Sequence, residues 1–125
     1  MKEVIEIILK SHGQLEQFLT SNSFHFRIEN EPYMPLVIER HGSRVMITHY
    51  LEQNGDLVPN PDLEMEILQD GTWSPIAIQS AFGIYKRAVS FEGGQRFIHS
   101  LELKDQIEFS ALWAKNLKEQ GYIKS

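Results

Sequence analysis

The densest run of groups able to do chemistry lies between His49 and Glu66. His49, Tyr50, Glu52, Asn54 and Asp56 come close together, and Asp62, Glu64 and Glu66 follow after Asn60-Pro61. A hairpin here could bring an imidazole and several carboxylates to one strand end. That is the donor set a magnesium, manganese or zinc ion requires, because hard cations take oxygen ligands and zinc also accepts nitrogen. On this reading His49, Glu52, Asp56, Asp62 and Glu64 serve a divalent-metal-dependent enzyme acting on nucleotides or nucleic acid. A plainer reading competes with it. Asn, Gly and Asp at 54–56 are what a turn requires, and Glu64 and Glu66 fit the solvated face of a strand. The spacing also departs from the calcium-loop pattern of alternating acidic residues, a glycine and a later glutamate. His49 shares its strand parity with Val45, Ile47 and Leu51, which predicts a half-buried structural histidine rather than a ligand or general base. The residues therefore favour a non-enzymatic protein, and they assign no metal or cofactor.

Other chemistries lack the residues they need. With no cysteine in 125 residues, thiol nucleophiles, disulfides and thiolate metal sites are excluded. No serine stands in a G-x-S-x-G elbow, the histidines show no HExxH spacing, and neither glycine-rich phosphate motif is present. His25 and His41 read as exposed strand and turn residues. Tyr85-Lys86-Arg87 and Arg96, with Phe91 and Phe97 nearby, could contact phosphates and stack bases. A net charge of −5 argues against nucleic acid, and a solvated edge strand guarded by Lys and Arg accounts for the same residues. Trp73 and Trp113 sit in apolar patterns and are expected in the core. A third possibility is a small nucleotide-binding pocket lined by Tyr33, Trp73 and Tyr85, which no spacing ties together.

The elements that must position these groups follow from periodicity. The first twenty residues are predicted helical, with Val4, Ile8, Leu15, Phe18 and Leu19 on one stripe and a break at Ser11-His12-Gly13. Phe24, Phe26 and Ile28 alternate with His25, Arg27 and Glu29 as a strand. Leu36 to Arg40 and Arg44 to Leu51 form a hairpin around His41-Gly42-Ser43. Asn54-Gly55 favours a tight turn, but Pro59 and Pro61 predict a loop longer than two residues. Leu63, Met65 and Ile67 mark the next strand, closed by Asp70-Gly71. Trp73 to Gln79 and Ile84 to Phe91 are two more, with Gly93-Gly94 ending the second and an extended piece at Gln95 to His99. The last segment is a helix, with a capping signal at Asp105 and Glu108, a stripe of Phe109, Leu112, Trp113 and Leu117, and Gly121 at its C-terminus. Short connections between successive strands predict an antiparallel meander, whose apolar face only the terminal helices can cover. The fold class is α+β: five or six short antiparallel strands flanked by an N-terminal and a C-terminal helix, in one domain spanning 1–125.

Four blocks carry a resemblance. Glu31-Pro32-Tyr33-Met34-Pro35-Leu36-Val37-Ile38-Glu39, His49-Tyr50-x-Glu52-Gln53-Asn54-Gly55-Asp56-Leu57, Trp73-x-Pro75, and Phe109-x-x-Leu112-Trp113-x-x-Asn116-Leu117-x-Glu119-Gln120-Gly121-Tyr122 resemble an uncharacterised family of small bacterial and phage or plasmid proteins, a domain of unknown function. The family pattern has Asp-Pro-Glu-Met where this chain has Asn60-Pro61-Asp62-Leu63. An amide thus replaces one carboxylate, which would weaken any metal site there. The resemblance implies a small accessory domain, often carried on mobile elements, and it supplies no activity.

Together these features lead to a non-enzymatic binding or accessory module that engages a protein partner, with inhibition of a host system as one form. The candidate surface is His49, Tyr50, Glu52, Asn54, Asp56, Asp62, Glu64 and Glu66, where five carboxylates run without an intervening basic residue. No signal peptide or membrane span is expected, which places the chain in the cytoplasm. A homo-oligomer is compatible with an uncovered sheet edge.

Overall fold

A computed structural model describes residues 1–80 and 83–125. Two short helices, α1 (Lys2–Ser11) and α2 (Leu15–Thr20), precede β1 (Ser23–Asn30), β2 (Tyr33–His41), β3 (Arg44–Gln53), β4 (Asp56–Ile67), β5 (Trp73–Gln79) and β6 (Tyr85–Arg87). These six strands form an antiparallel sheet in chain order. A separate hairpin, β7 (Val89–Glu92) and β8 (Gln95–Ile98), leads into α3 (Ser100–Glu119). The α+β meander expected from the alternation is the fold observed. Among the described residues no helix is long and apolar enough to cross a membrane.

The N-terminal helix breaks where Gly13 takes a φ of +72°, a left-handed conformation that other residues adopt only at a cost. Both helices and the second half of α3 lie on one face of the sheet. Ile5, Ile8 and Leu9 of α1, Phe18 of α2, and Trp113 and Leu117 of α3 join Phe24, Ile28, Leu36, Ile38, Val45, Ile47, Leu63 and Met65 in one core. Burial of this apolar area is the main force holding helices to sheet, at about 25 cal/mol per Å². Tyr122, just beyond α3, is fully buried in the same core. Gly121 supplies the left-handed turn (φ +89°) that ends the helix and swings Tyr122 under it.

Several boundaries differ from expectation. The β3–β4 connection is the two-residue turn Asn54-Gly55, with positive φ at both positions, and not a long loop. β4 accepts Pro59 and Pro61 because Tyr50 pairs with Pro59 and a register shift between Thr48 and Tyr50 absorbs the residues between. The Ile84 to Phe91 strand is two strands: Ala88 N–H bonds to the Ile76 carbonyl and the Ala88 carbonyl accepts from His99 N–H, so the chain changes sheets there. α3 begins at Ser100, not Asp105, because Leu103 packs on a second small cluster of Ile76, Ala77, Ala88 and Val89. Leu19 and Leu112, expected in apolar stripes, are both more than half exposed. Ile5 and Leu9 take the core positions on the first helix instead.

Candidate functional site

The sheet divides the sequence's candidate residues between its faces. His49 shares the covered face with Val45 and Ile47. It is only 5% exposed and packs against the rings of Trp113 and Tyr122, at 5.2 and 5.5 Å between centroids. Thr48, Asp62, Glu64 and Glu66 lie on the opposite face, and Thr48 Oγ1 donates to Asp62 Oδ1 at 3.0 Å. Glu52, Asn54 and Asp56 sit at the exposed end of the β3–β4 hairpin. His49, Glu52, Asp56, Asp62 and Glu64 therefore do not come together. Among the described residues no group of three or more His, Asp or Glu is arranged to hold a metal ion.

The acidic run is also less acidic than its sequence. Arg44 Nη1 donates to Glu64 Oε2 at 2.8 Å and Arg96 Nη1 to Glu66 Oε2 at 2.6 Å. Arg96, far along the chain, arrives because the β7–β8 hairpin folds toward this face. The Phe91 ring lies against the guanidinium groups of both Arg44 and Arg96, at 5.4 and 5.7 Å. Glu39 lies within reach of His25 (3.5 Å) and His41 (4.0 Å), both exposed as their positions predict. Asp62 remains the perturbed acid. Burial pushes its carboxyl up, Glu39 and Glu64 add to the shift, and the Thr48 hydrogen bond opposes it. Tyr50 is raised by burial and then by Glu39 and Asp62, with Arg27 opposing.

Beyond these ladders the β3–β4 hairpin runs on alone. β2 pairs with β3 only as far as His49, and β5 pairs with β4 only from Asp62 onward. Residues 50–59 thus form a two-stranded ribbon whose outer edges no other strand pairs with among the described residues. It carries Tyr50, Glu52, Asn54 and Asp56, and it leaves Leu51 and Leu57 36% and 57% exposed.

On the covered side a depression of about 300 Å³ opens between β2, β3 and α3, with Tyr33, His49, Asn60, Trp113, Asn116 and Gln120 around it. Sequence reasoning placed His49 on this face but missed the depression, because its walls come from residues some eighty positions apart. Tyr33 belongs here, Trp73 borders a different depression beside Met1 and Ser110, and Tyr85 lies exposed on edge strand β6. The three do not converge on one pocket. The basic residues of β6 are exposed, as a solvated edge requires.

The fold and these sites define an α+β protein with a one-sided meander and a projecting ribbon, in which His49, Glu52, Asp56, Asp62 and Glu64 do not converge. The chain belongs to the family described as "Domain of unknown function (DUF6908)", whose model matches residues 3–123. No curated protein and no solved structure matches the chain.

Proposed function

We propose that the protein is a non-enzymatic, single-domain binding module that engages a protein partner through the β3–β4 ribbon and the adjoining open face of the sheet. Tyr50, Glu52, Asn54 and Asp56 form the ribbon part of that surface, and Asp62, Glu64 and Glu66 the sheet part. The observation that carries this reading is the ribbon itself. An isolated two-stranded hairpin is marginal in water, and unpaired strand edges with exposed leucines invite another chain to pair. A partner that adds a strand beside residues 50–59, with basic side chains facing Glu52 and Asp56, would satisfy both the open backbone groups and the charge. His49 takes no part in this surface, since it lies on the other face.

The test is capture from host lysate by the wild-type protein and by the double variant Glu52→Lys/Asp56→Lys. The expected result is a stoichiometric protein retained by the wild type and lost by the variant, with the unfolding midpoint unchanged. Equal capture by both proteins overturns the assignment of the ribbon, and turnover of a nucleotide or nucleic-acid substrate overturns the non-enzymatic reading.

A further inference from the structure

The depression beside His49 contains hydrogen-bonding groups that the protein itself leaves unused. His49 Nδ1 lies 3.3 Å from the Pro35 carbonyl oxygen. A carbonyl can only accept, so Nδ1 carries the proton and Nε2 presents a lone pair. Among the described residues Nε2 has no hydrogen-bond partner, and it is not one of the fully enclosed unpartnered atoms, which are Ser80 Oγ and Gln106 Oε1. His49, a residue 5% exposed, lines this depression with one ring nitrogen left unpartnered by the described protein. The side-chain amides of Asn60, Asn116 and Gln120 stand around the same space, and none of them makes a hydrogen bond within the described protein. Tyr33 and Trp113 supply ring surface.

The chemistry of this lining is selective. Among the described residues no charged side chain lines the depression, so none of them compensates a phosphate or carboxylate. A single imidazole without a carboxylate is too poor a donor set for a metal ion. Three amides would lose their hydration against a purely apolar guest, at a cost for each group left unpaired. A volume of about 300 Å³ lies at the small end of ligand clefts. What remains is a compact, uncharged, flat molecule with both donors and acceptors on its edge. We propose that the depression binds an uncharged heteroaromatic compound of nucleobase size, with a ring N–H or amino group donating to His49 Nε2 and its edge meeting Asn60, Asn116 and Gln120. Tyr122 fixes the floor of the site: its hydroxyl donates to the Met34 carbonyl, and its ring holds the imidazole in place. Burial keeps His49 below its ordinary pKa, so the acceptor form persists at neutral pH. The depression lies on the covered face, opposite Asp62, Glu64 and Glu66, and either site can fail without the other.

Adenine, uracil and adenosine monophosphate are the probes, titrated into histidine-labelled protein and followed by the His49 nitrogen resonances and by calorimetry. The expected result is a saturable shift of Nε2 with adenine or uracil, and adenosine monophosphate binding no tighter than adenine. Asn116→Ala, at a half-exposed position outside the core, is expected to weaken binding about tenfold, the worth of one hydrogen bond, without moving the unfolding midpoint. His49→Phe is expected to abolish binding; should it fail to fold, Asn116→Ala and the Nε2 shift decide alone. The proposal is overturned by the absence of a saturable Nε2 shift with either base, by binding insensitive to Asn116→Ala, or by a monophosphate that binds about tenfold more tightly than the base.

Discussion

Burial against Trp113 and Tyr122 holds the His49 imidazole below its ordinary value, and the Pro35 hydrogen bond only partly opposes the shift. The unfolded chain takes up a proton near pH 6.5, whereas the folded chain does so only at lower pH. In that window the unfolded state binds more protons, so the His49 contribution is present above pH 6.5 and is lost as pH falls through it. Urea midpoints measured from pH 7 to pH 5 are expected to fall in the wild type more than in His49→Gln; parallel curves would show that His49 titrates freely. Asp62 has the opposite sign. Its raised carboxyl favours the fold below its unfolded pKa and disfavours it as pH rises through the folded value. Asp62→Asn keeps an acceptor for Thr48 and removes a charge near Glu39 and Glu64, so its midpoint at pH 7 is expected to equal or exceed that of the wild type. A loss of about 1 kcal/mol, one hydrogen bond's worth, would show that the carboxylate itself is required. The parity of β3 made the side of the sheet occupied by His49 legible in the sequence. The pairing of the acids was not legible: Arg44 reaches Glu64 across a strand ladder and Arg96 reaches Glu66 from another sheet, and neither contact leaves a local signature.

At the scale of elements, the β3–β4 ribbon rests on its turn. Asn54 and Gly55 take φ values of +53° and +83°, the arrangement that matches the twist of paired strands in a two-residue hairpin. A Cβ added at position 55 would meet no neighbouring atom, so the penalty of Gly55→Val is chiefly conformational, about 1–2 kcal/mol for a left-handed residue with a Cβ. Among the described residues no strand pairs with the ribbon's outer edges to spread that loss. Gly55→Val is therefore expected to abolish amide exchange protection over residues 50–59 and to leave protection in β1 and β2 intact; uniform loss across the sheet would show that the ribbon is integral to the core. Asn54-Gly55 announced this turn plainly, and the prolines obscured it. Proline is tolerated where a strand's second edge is open, and among the described residues, positions 56–61 of β4 pair with β3 alone. Similarly, α3 hid its first turn because Leu103 serves a second cluster while Trp113 and Leu117 serve the main one, so no single stripe runs its length.

For the whole molecule, sheet order follows chain order and one face takes both terminal helices, which is why alternation and helical period together reached the architecture. What they could not reach is how the ends of the chain close it. Tyr122, three residues from the C-terminus, is fully buried, and its hydroxyl, pushed up to about 12 by burial, stays protonated and donates to the Met34 carbonyl. The surrounding tail is tied to distant elements: His12 Nε2 donates to the Tyr122 carbonyl at 2.9 Å, Asn30 Nδ2 to the Gln120 carbonyl at 2.8 Å, and Lys124 N–H to Ser11 Oγ at 2.9 Å. Gln120, Tyr122 and Lys124 thus tie the end of α3 to α1, β1 and β2. Deleting residues 121–125 removes a buried aromatic side chain, worth about 3–5 kcal/mol, from a domain whose total stability is expected to be about 5–15 kcal/mol. Tyr122→Phe removes only the hydroxyl, at about 1 kcal/mol. Guanidinium unfolding is expected to rank wild type above Tyr122→Phe and both well above the truncated chain, whose near-ultraviolet circular dichroism should weaken as the His49 ring packed on Trp113 loses its other contact, Tyr122. A truncated chain with the wild-type midpoint and spectrum would show that the helices hold the sheet face without their C-terminal tie.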